Sequence, residues 1–457
     1  MKLRLRRFIY LTFITFFIII VPVITLYAAG YSYNFKKNKI EKTGILYIES
    51  KPKDAQIYIN GKYQANTPKR FSRLLPDNYQ VDVEKTGYYP WQKKLEVKSN
   101  STTFSKNIVL FKKNLPINII EGQINILSVS PNQEKMVYSL LEQNTEELRL
   151  RNLKNQLDLS IEKLNSRNYD QLEPIEWSPD QSKVLLKETI GDFNKYLIID
   201  TETLKVNELF DITRLNFTKV NWDTLNGTYL YGLRNAILYQ IDLVNNSTKT
   251  LVSANIEDFQ IKREEIYYIT RVINESFLNR SILENQTVSK SEKIKLPSPS
   301  QYTLQPSSQN YIVLLDKKNN DLFVISPKSF TDQDINQNVI LQDRAKKIIW
   351  SKNLKRLLYY TDFEIWTFDF VTRQKNLITR YGETIKQAFW YTGENYIIYQ
   401  INNQIKVIED SLDEAKNDIQ LTDFSEIDSV TLDNTGTNLY FKGKAGNQSG
   451  IYQLAIQ

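Results

Sequence analysis

The side chains available for chemistry in this 457-residue chain are carboxylates, lysines, tyrosines and hydroxyls, because it contains neither histidine nor cysteine. That removes serine–histidine triads, histidine-based metalloprotease sites, thiolate metal sites and cysteine nucleophiles. Glycine is scarce, at 14 residues, and no glycine loop has the spacing of a phosphate cradle or a dinucleotide fingerprint. No cofactor, metal site or catalytic residue is therefore assigned. Asp316-Lys317-Lys318-Asn319-Asn320-Asp321 has oxygen donors of the kind calcium takes, but its spacing fits a solvated hairpin better. Asp433-Asn434-Thr435-Gly436-Thr437 has the composition of a turn. Carboxylate-dependent glycan hydrolysis stays open as the competing activity, since it needs only two acids ~5–9.5 Å apart.

Charge is distributed unevenly along the chain. Residues 1–42 carry a net +7, residues 43–116 another +7, and residues 117–457 a net −7. The overall excess of basic groups is thus confined to the first quarter of the sequence. A nucleic-acid binder would place a basic stripe on its large domain, so nucleic acid is not expected as a partner.

From Phe8 to Ala29 there are 22 residues without a charge, rich in Phe, Ile, Leu and Val. A helix of that length reaches ~33 Å and spans a ~30 Å hydrocarbon core. A cleaved leader has a shorter apolar core, ~7–15 residues, ending in small residues. The flank Leu26-Tyr27-Ala28-Ala29-Gly30 is a poor match to that, and the expectation is an uncleaved anchor through residues 8–29. Four of the first seven residues are basic, which places residues 1–7 in the cytoplasm and the bulk of the chain outside it. Residues 30–42 read as a juxtamembrane linker.

Residues 43–112 read as a small β-domain. Ala55-Gln56-Ile57-Tyr58-Ile59 alternates and runs into Asn60-Gly61, a strong two-residue hairpin signal. Tyr79, Val81 and Val83 alternate with polar residues as in a half-buried strand. The series Ser50, Pro52, Asp54-Ala55, Ile57-Tyr58-Ile59-Asn60-Gly61-Lys62, Asn66-Thr67-Pro68, Leu75-Pro76-Asp77-Asn78-Tyr79 and Lys85-Thr86-Gly87-Tyr88 resembles the PEGA domain of prokaryotic surface proteins. Lys53-Asp54 stands where the name-giving motif has Glu-Gly. The resemblance implies a small β-sandwich that is extracytoplasmic, non-catalytic and associated with the cell surface or wall. Within it, Tyr88, Tyr89, Trp91, Lys93 and Lys94 form a candidate aromatic and cationic ligand patch, against the plainer reading that the aromatics pack the core.

Residues 113–457 carry an internal repeat. Trp177, Trp222, Trp350 and Trp390 set its phase, and Val129, Phe259, Leu304 and Thr431 fall at the intervening positions. The steps are 48, 45, 37, 45, 46, 40 and 41 residues. Each marker is followed by a polar turn and an apolar triplet such as Val184-Leu185-Leu186 or Ile397-Ile398-Tyr399. A period of ~40–45 residues with four strands per unit is that of a β-propeller, here of eight blades, or seven if the short unit at 256–300 is irregular. The turn Trp177-Ser178-Pro179-Asp180 is similar to that of TolB-type propeller repeats. The last unit supplies only three strands, and Leu115-Pro116-Ile117-Asn118-Ile119-Ile120 is expected to add the fourth and close the ring.

The architecture expected is all-β: one transmembrane helix, a PEGA-like sandwich and a β-propeller. The function expected is binding or scaffolding in the prokaryotic envelope, with the lipid bilayer and a wall polymer or envelope protein as partners.

Overall fold

The computed structural model describes residues 3–284, 287–307, 310–326, 330, 338–413 and 415–457. They divide into two compact units, one comprising Met1–Asn114, Asp413–Ile419 and Ile456–Gln457, the other Leu115–Leu412 and Gln420–Ala455.

The first unit opens with a helix, α1, at Leu3–Ala28. Its stretch Phe8–Ala28 is long and apolar enough to cross a membrane, with a mean hydropathy of 2.6 and none of it buried. The hydroxyls of Thr12, Thr15 and Thr25 donate to the carbonyls of Phe8, Leu11 and Val21 at 2.7–2.8 Å, so these polar groups are satisfied within the helix, as an apolar medium requires. The helix starts inside the segment expected to be a tail, of which residues 1 and 2 lie outside the described residues. The expected linker is a two-stranded ribbon, Tyr31–Asn34 paired with Lys39–Lys42. Its turn is held by Asn34, whose Oδ1 accepts the amides of Lys36 and Lys37.

Seven strands follow in two sheets. Gly44–Lys51 lies between Lys69–Leu74 and Thr102–Val109 in one; the other orders Lys62–Asn66, Gln56–Ile59, Asp77–Glu84 and Trp91–Val97. Asn60 and Gly61 both take positive φ, 51° and 75°, the backbone of the tight hairpin their types require. Burial alternates along Gly44–Lys51. The inward set, Leu46, Ile48, Ile57, Val81, Val83, Val97 and Ile108 among others, forms one core.

Among the described residues the second unit consists of eight four-stranded antiparallel sheets, I to VIII, the first seven each joined in sequence order. Their first strands are Gln123–Val129, Gln171–Trp177, Lys219–Trp222, Ile256–Lys262, Tyr302–Gln305, Lys347–Trp350, Ile385–Trp390 and Glu426–Leu432. The apolar triplets fall in the second strands. These are buried on both faces, which is why they read as continuous hydrophobic runs; Tyr396–Ile401 is buried throughout. Cores form between consecutive sheets: Ile126, Val137 and Leu148 of sheet I pack on Leu172, Trp177 and Val184 of sheet II.

The repeat turn is explicit in sheets I, II and VI. Ser130, Ser178 and Ser351 are buried, and their Oγ atoms accept the amides of Lys135, Lys183 and Arg356 at 2.9–3.0 Å. Gln133, Gln181 and Leu354 take the left-handed conformation at the same place in each turn.

Sheet VIII takes its fourth strand from far upstream. Ile117–Glu121 pairs with Gln448–Ala455, Ile120 opposite Ile451 and Glu121 opposite Gly450. The ring therefore closes as the sequence led one to expect. Ile120 and Ile451 join Leu127, Met136 and Tyr138 of sheet I in a common core across the seam.

Candidate functional site

The sheets radiate from their first strands. Those of sheets I and II, II and III, and IV and V contact one another, and that of sheet I also meets that of sheet VIII. One cavity of ≈ 390 Å³ is lined jointly by first strands of sheets VI, VII, VIII and I, which only a central position allows. The first strands of these four sheets thus line a common stretch of the ring's central channel.

Several polar groups of the first strands are already engaged. Glu173 pairs with Lys187. Glu176 accepts the backbone amide of Trp222 and, at 3.3 Å, the side-chain amide of Asn221; burial, only partly offset by these bonds, leaves its carboxyl above the usual range. Lys219 of sheet III reaches Asp258 of sheet IV at 2.6 Å, and Asp258 also accepts the amide of Leu304 in sheet V at 2.7 Å. One carboxylate therefore ties three sheets together. Lys442 of sheet VIII pairs with Asp428 at 2.9 Å and donates to the carbonyl of Asn125 in sheet I at 2.8 Å. Burial works to raise the Asp428 carboxyl, but Lys442 and the Ser429 amide hold it below its ordinary value. Gln387 exchanges two hydrogen bonds with the backbone of Val430, at 2.8 and 3.1 Å. Glu173, Glu176, Asp258 and Asp428 are thus each engaged by a cation or an amide.

Two cations differ. Lys347 and Lys386, on the first strands of sheets VI and VII, are exposed and line the channel cavity. Among the described residues neither ammonium has an ion-pair or hydrogen-bond partner. Lys386 is the extra residue of a β-bulge: Ile385 pairs with Ile401 and Gln387 with Gln400, leaving Lys386 unpaired between them. Such bulges re-aim a side chain. Sequence reasoning missed both lysines, although a signal existed. Lys219 and Lys347 stand three residues before a marker tryptophan, and Lys386 four before, the bulge accounting for the difference.

The marker tryptophans act as latches between sheets. The indole N–H of Trp177 donates to Ser128 Oγ at 3.0 Å, that of Trp350 to the Pro306 carbonyl at 2.9 Å, and that of Trp390 to the Ile349 carbonyl at 3.3 Å. Each donor reaches into the preceding sheet. Trp222 is the exception, its buried Nε1 having no partner. The positions inferred by spacing alone are less regular. Val129 pairs with the first residue of its triplet, as Trp177, Trp350 and Trp390 do, whereas Phe259 and Thr431 pair with the third, and Leu304 with Leu314 just beyond it.

The five residues of the aromatic and cationic patch do not share one exposed face. Trp91 and Lys93, two apart on a strand, both point inward and are 2% and 7% exposed. Lys93 pairs with Asp413 at 2.7 Å. Lys94 points outward and is exposed; Tyr88 is half-buried against the core, and Tyr89 is half-buried with Lys113 5.4 Å above its ring. The packing role expected of the aromatics is the one Trp91 and Tyr88 have. Asp316 is likewise consumed locally, its carboxylate accepting the hydroxyl of Ser300 and the amide of Lys318. Asp433 caps its own turn through the amides of Thr437 and Asn438.

Residues 43–114 match the PEGA domain. No curated protein matches the chain. Among solved structures, Porphyromonas gingivalis dipeptidyl peptidase 4 is similar at a TM-score of 0.50 and 10% identity, over 75% of this chain and 60% of that one. The dihydro-heme d1 dehydrogenase NirN in complex with DHE is similar at 0.50 and 11% identity, over 72% and 74%. The Dos1 propeller gives 0.49 and 15% identity, over 76% and 96%. The chain thus spans less than two thirds of the peptidase, and at these identities the likeness concerns the fold alone. The protein joins a PEGA domain, at residues 43–114, to a β-propeller.

Proposed function

We propose that this protein is a membrane-anchored binding scaffold of the prokaryotic cell envelope, its PEGA domain associating with surface or wall material and its propeller presenting a rigid face to a partner. The observation that carries the reading is the pairing of an apolar helix with no buried residue, Phe8–Ala28, with a domain of the surface-associated PEGA type one short ribbon later in the chain. An apolar helix of this length left in water would expose a patch far larger than soluble proteins tolerate. The engagement of the channel carboxylates by lysines and backbone amides favours recognition over hydrolysis.

The topology is tested in intact cells carrying the full chain with a C-terminal epitope. Alkaline carbonate should leave the protein in the membrane pellet. External protease should remove the epitope without lysis. Release by carbonate would exclude the anchor, and protection of the epitope until lysis would place the propeller in the cytoplasm. Partner recognition is tested separately, by crosslinking on whole envelopes: capture of a discrete envelope protein or wall polymer through the propeller supports the scaffold, and cleavage of glycan without capture replaces it with an enzyme.

A further inference from the structure

The channel cavity between sheets VI, VII, VIII and I has a charge that its own residues do not neutralise. Lys347 and Lys386 enter it from adjacent first strands. The one carboxylate on its wall, Asp428, is already paired with Lys442. The two glutamines nearest the lysines are fixed by the backbone: Gln387 holds Val430, and Gln400 donates to the carbonyl of Ile427 at 2.6 Å. Three ammoniums thus stand against one carboxylate, an excess of two positive charges. At the bulge the Lys386 carbonyl accepts the Tyr360 hydroxyl at 3.4 Å, but its ammonium, set outside the ladder, gains no partner among the described residues. Elsewhere around the channel the equivalent demand is met from within: Lys219 has Asp258, and Lys187 has Glu173.

We propose that this end of the channel is a binding site for a phosphate monoester, held between the ammoniums of Lys347 and Lys386. A doubly negative group matches the local excess of two charges. Flexible lysines bind phosphate as point charges, whereas planar bidentate capture of a carboxylate would call for arginine. The cavity volume, ≈ 390 Å³, lies within the range of small-molecule sites, ~300–1,000 Å³. It accommodates the phosphate with a small polar substituent, for which the hydroxyl of Thr431 on the same wall is available, that of Ser429 being engaged by Asp428. The site goes beyond the scaffold reading and does not depend on Phe8–Ala28 lying in a bilayer.

The full chain in neutral detergent micelles is titrated calorimetrically with inorganic phosphate, glycerol 3-phosphate and acetate at low salt. The two phosphates should bind, acetate should bind far more weakly, and affinity should fall as salt is raised. Lys347→Gln and Lys386→Gln should each weaken glycerol 3-phosphate by about tenfold or more. Both side chains are exposed, so neither change threatens the fold. Lys249→Gln, at an exposed position on another strand, should leave binding unchanged. Doping the micelles with phosphatidic acid separates the sources: competition lost in the Lys386→Gln variant assigns the phosphate to a lipid headgroup, and absence of competition assigns it to a soluble ester. No binding of either phosphate, equal binding of acetate, or binding untouched by both channel substitutions would overturn the proposal.

Discussion

Trp177 and Trp222 occupy the same place in successive repeats, yet the indole of one is bonded across the sheet boundary and that of the other is not. Replacing each with phenylalanine removes similar volume but unequal hydrogen bonding. Trp177→Phe should therefore cost about 1 kcal/mol more than Trp222→Phe, seen as a lower Tm or denaturation midpoint for the former. Equal losses would show that the latch contributes nothing beyond packing. Lys262 offers a second test. It is half-buried at the end of the first strand of sheet IV, where its Nζ donates to the Tyr311 carbonyl and lies 5.2 Å from the Tyr267 ring centre. Burial pushes its ammonium down to about 7, against the ordinary 10.5, in spite of Glu265 nearby. Between those values the unfolded chain binds the extra proton, so stability from this residue rises with pH from about 7 towards 10.5 and is at its lowest below 7. Lys262→Met should raise Tm at pH 6–7 and flatten the rise between pH 7 and 10. A pH profile parallel to that of the parent would refute the depressed ammonium.

At the level of elements, closure of the ring rests on one short strand. Gly450 lies opposite it, and a Cβ there would come within 2.1 Å of the Ile120 carbonyl oxygen. Backbone cannot yield as a side-chain tip does, so Gly450→Ala should push Ile117–Glu121 out of register at a cost of about 1–3 kcal/mol. Deleting residues 114–121 should lower the Tm further still. An unchanged midpoint in both variants would mean that the seam is held by sheet packing alone. Much of this scale was legible in the sequence. Tryptophans at strand ends and doubly buried second strands leave a period that survives divergence, because each sheet solves the same packing problem. The gaps in the phase, at Phe259, Leu304 and Thr431, were placed by counting, and bulges in the first strands of sheets IV and VIII displace such counts by a residue or two. The candidate site was not legible for a related reason. Lys347 and Lys386 lie in different repeats, and what distinguishes them is the lack of a partner, a property of the fold and not of spacing. The aromatic and cationic residues are divided by period two: Trp91 and Lys93, as i and i+2, share a buried face, and Lys94 lies on the other.

For the molecule as a whole, the proposed anchor has a consequence that can be measured without knowing the partner. Ile14 and Ile18 sit in the middle of the apolar helix and are both exposed, at 57% and 64%. Lysine at each would cost about 3 kcal/mol at the centre of a membrane span. The double variant Ile14→Lys, Ile18→Lys should move from the membrane pellet to the soluble fraction, and retention in the pellet would locate attachment in another part of the chain. The charge asymmetry of the sequence also becomes intelligible at this scale. The basic groups of the first 116 residues flank the proposed membrane span in sequence, while the propeller segment that follows is acidic overall.

The strand Ile117–Glu121 closes a ring whose other half of the seam, Gln448–Ala455, is made last. A ribosome therefore delivers one side of the zipper early and the other only after seven sheets have emerged. Until then the unpaired edge of Ile117–Glu121 is a template for stray association, and the contact that removes it spans nearly the whole length of the propeller, the kind that forms slowly. The seam is therefore the propeller's most non-local contact: without Gln448–Ala455 the edge of Ile117–Glu121 stays open, however well the other sheets have packed.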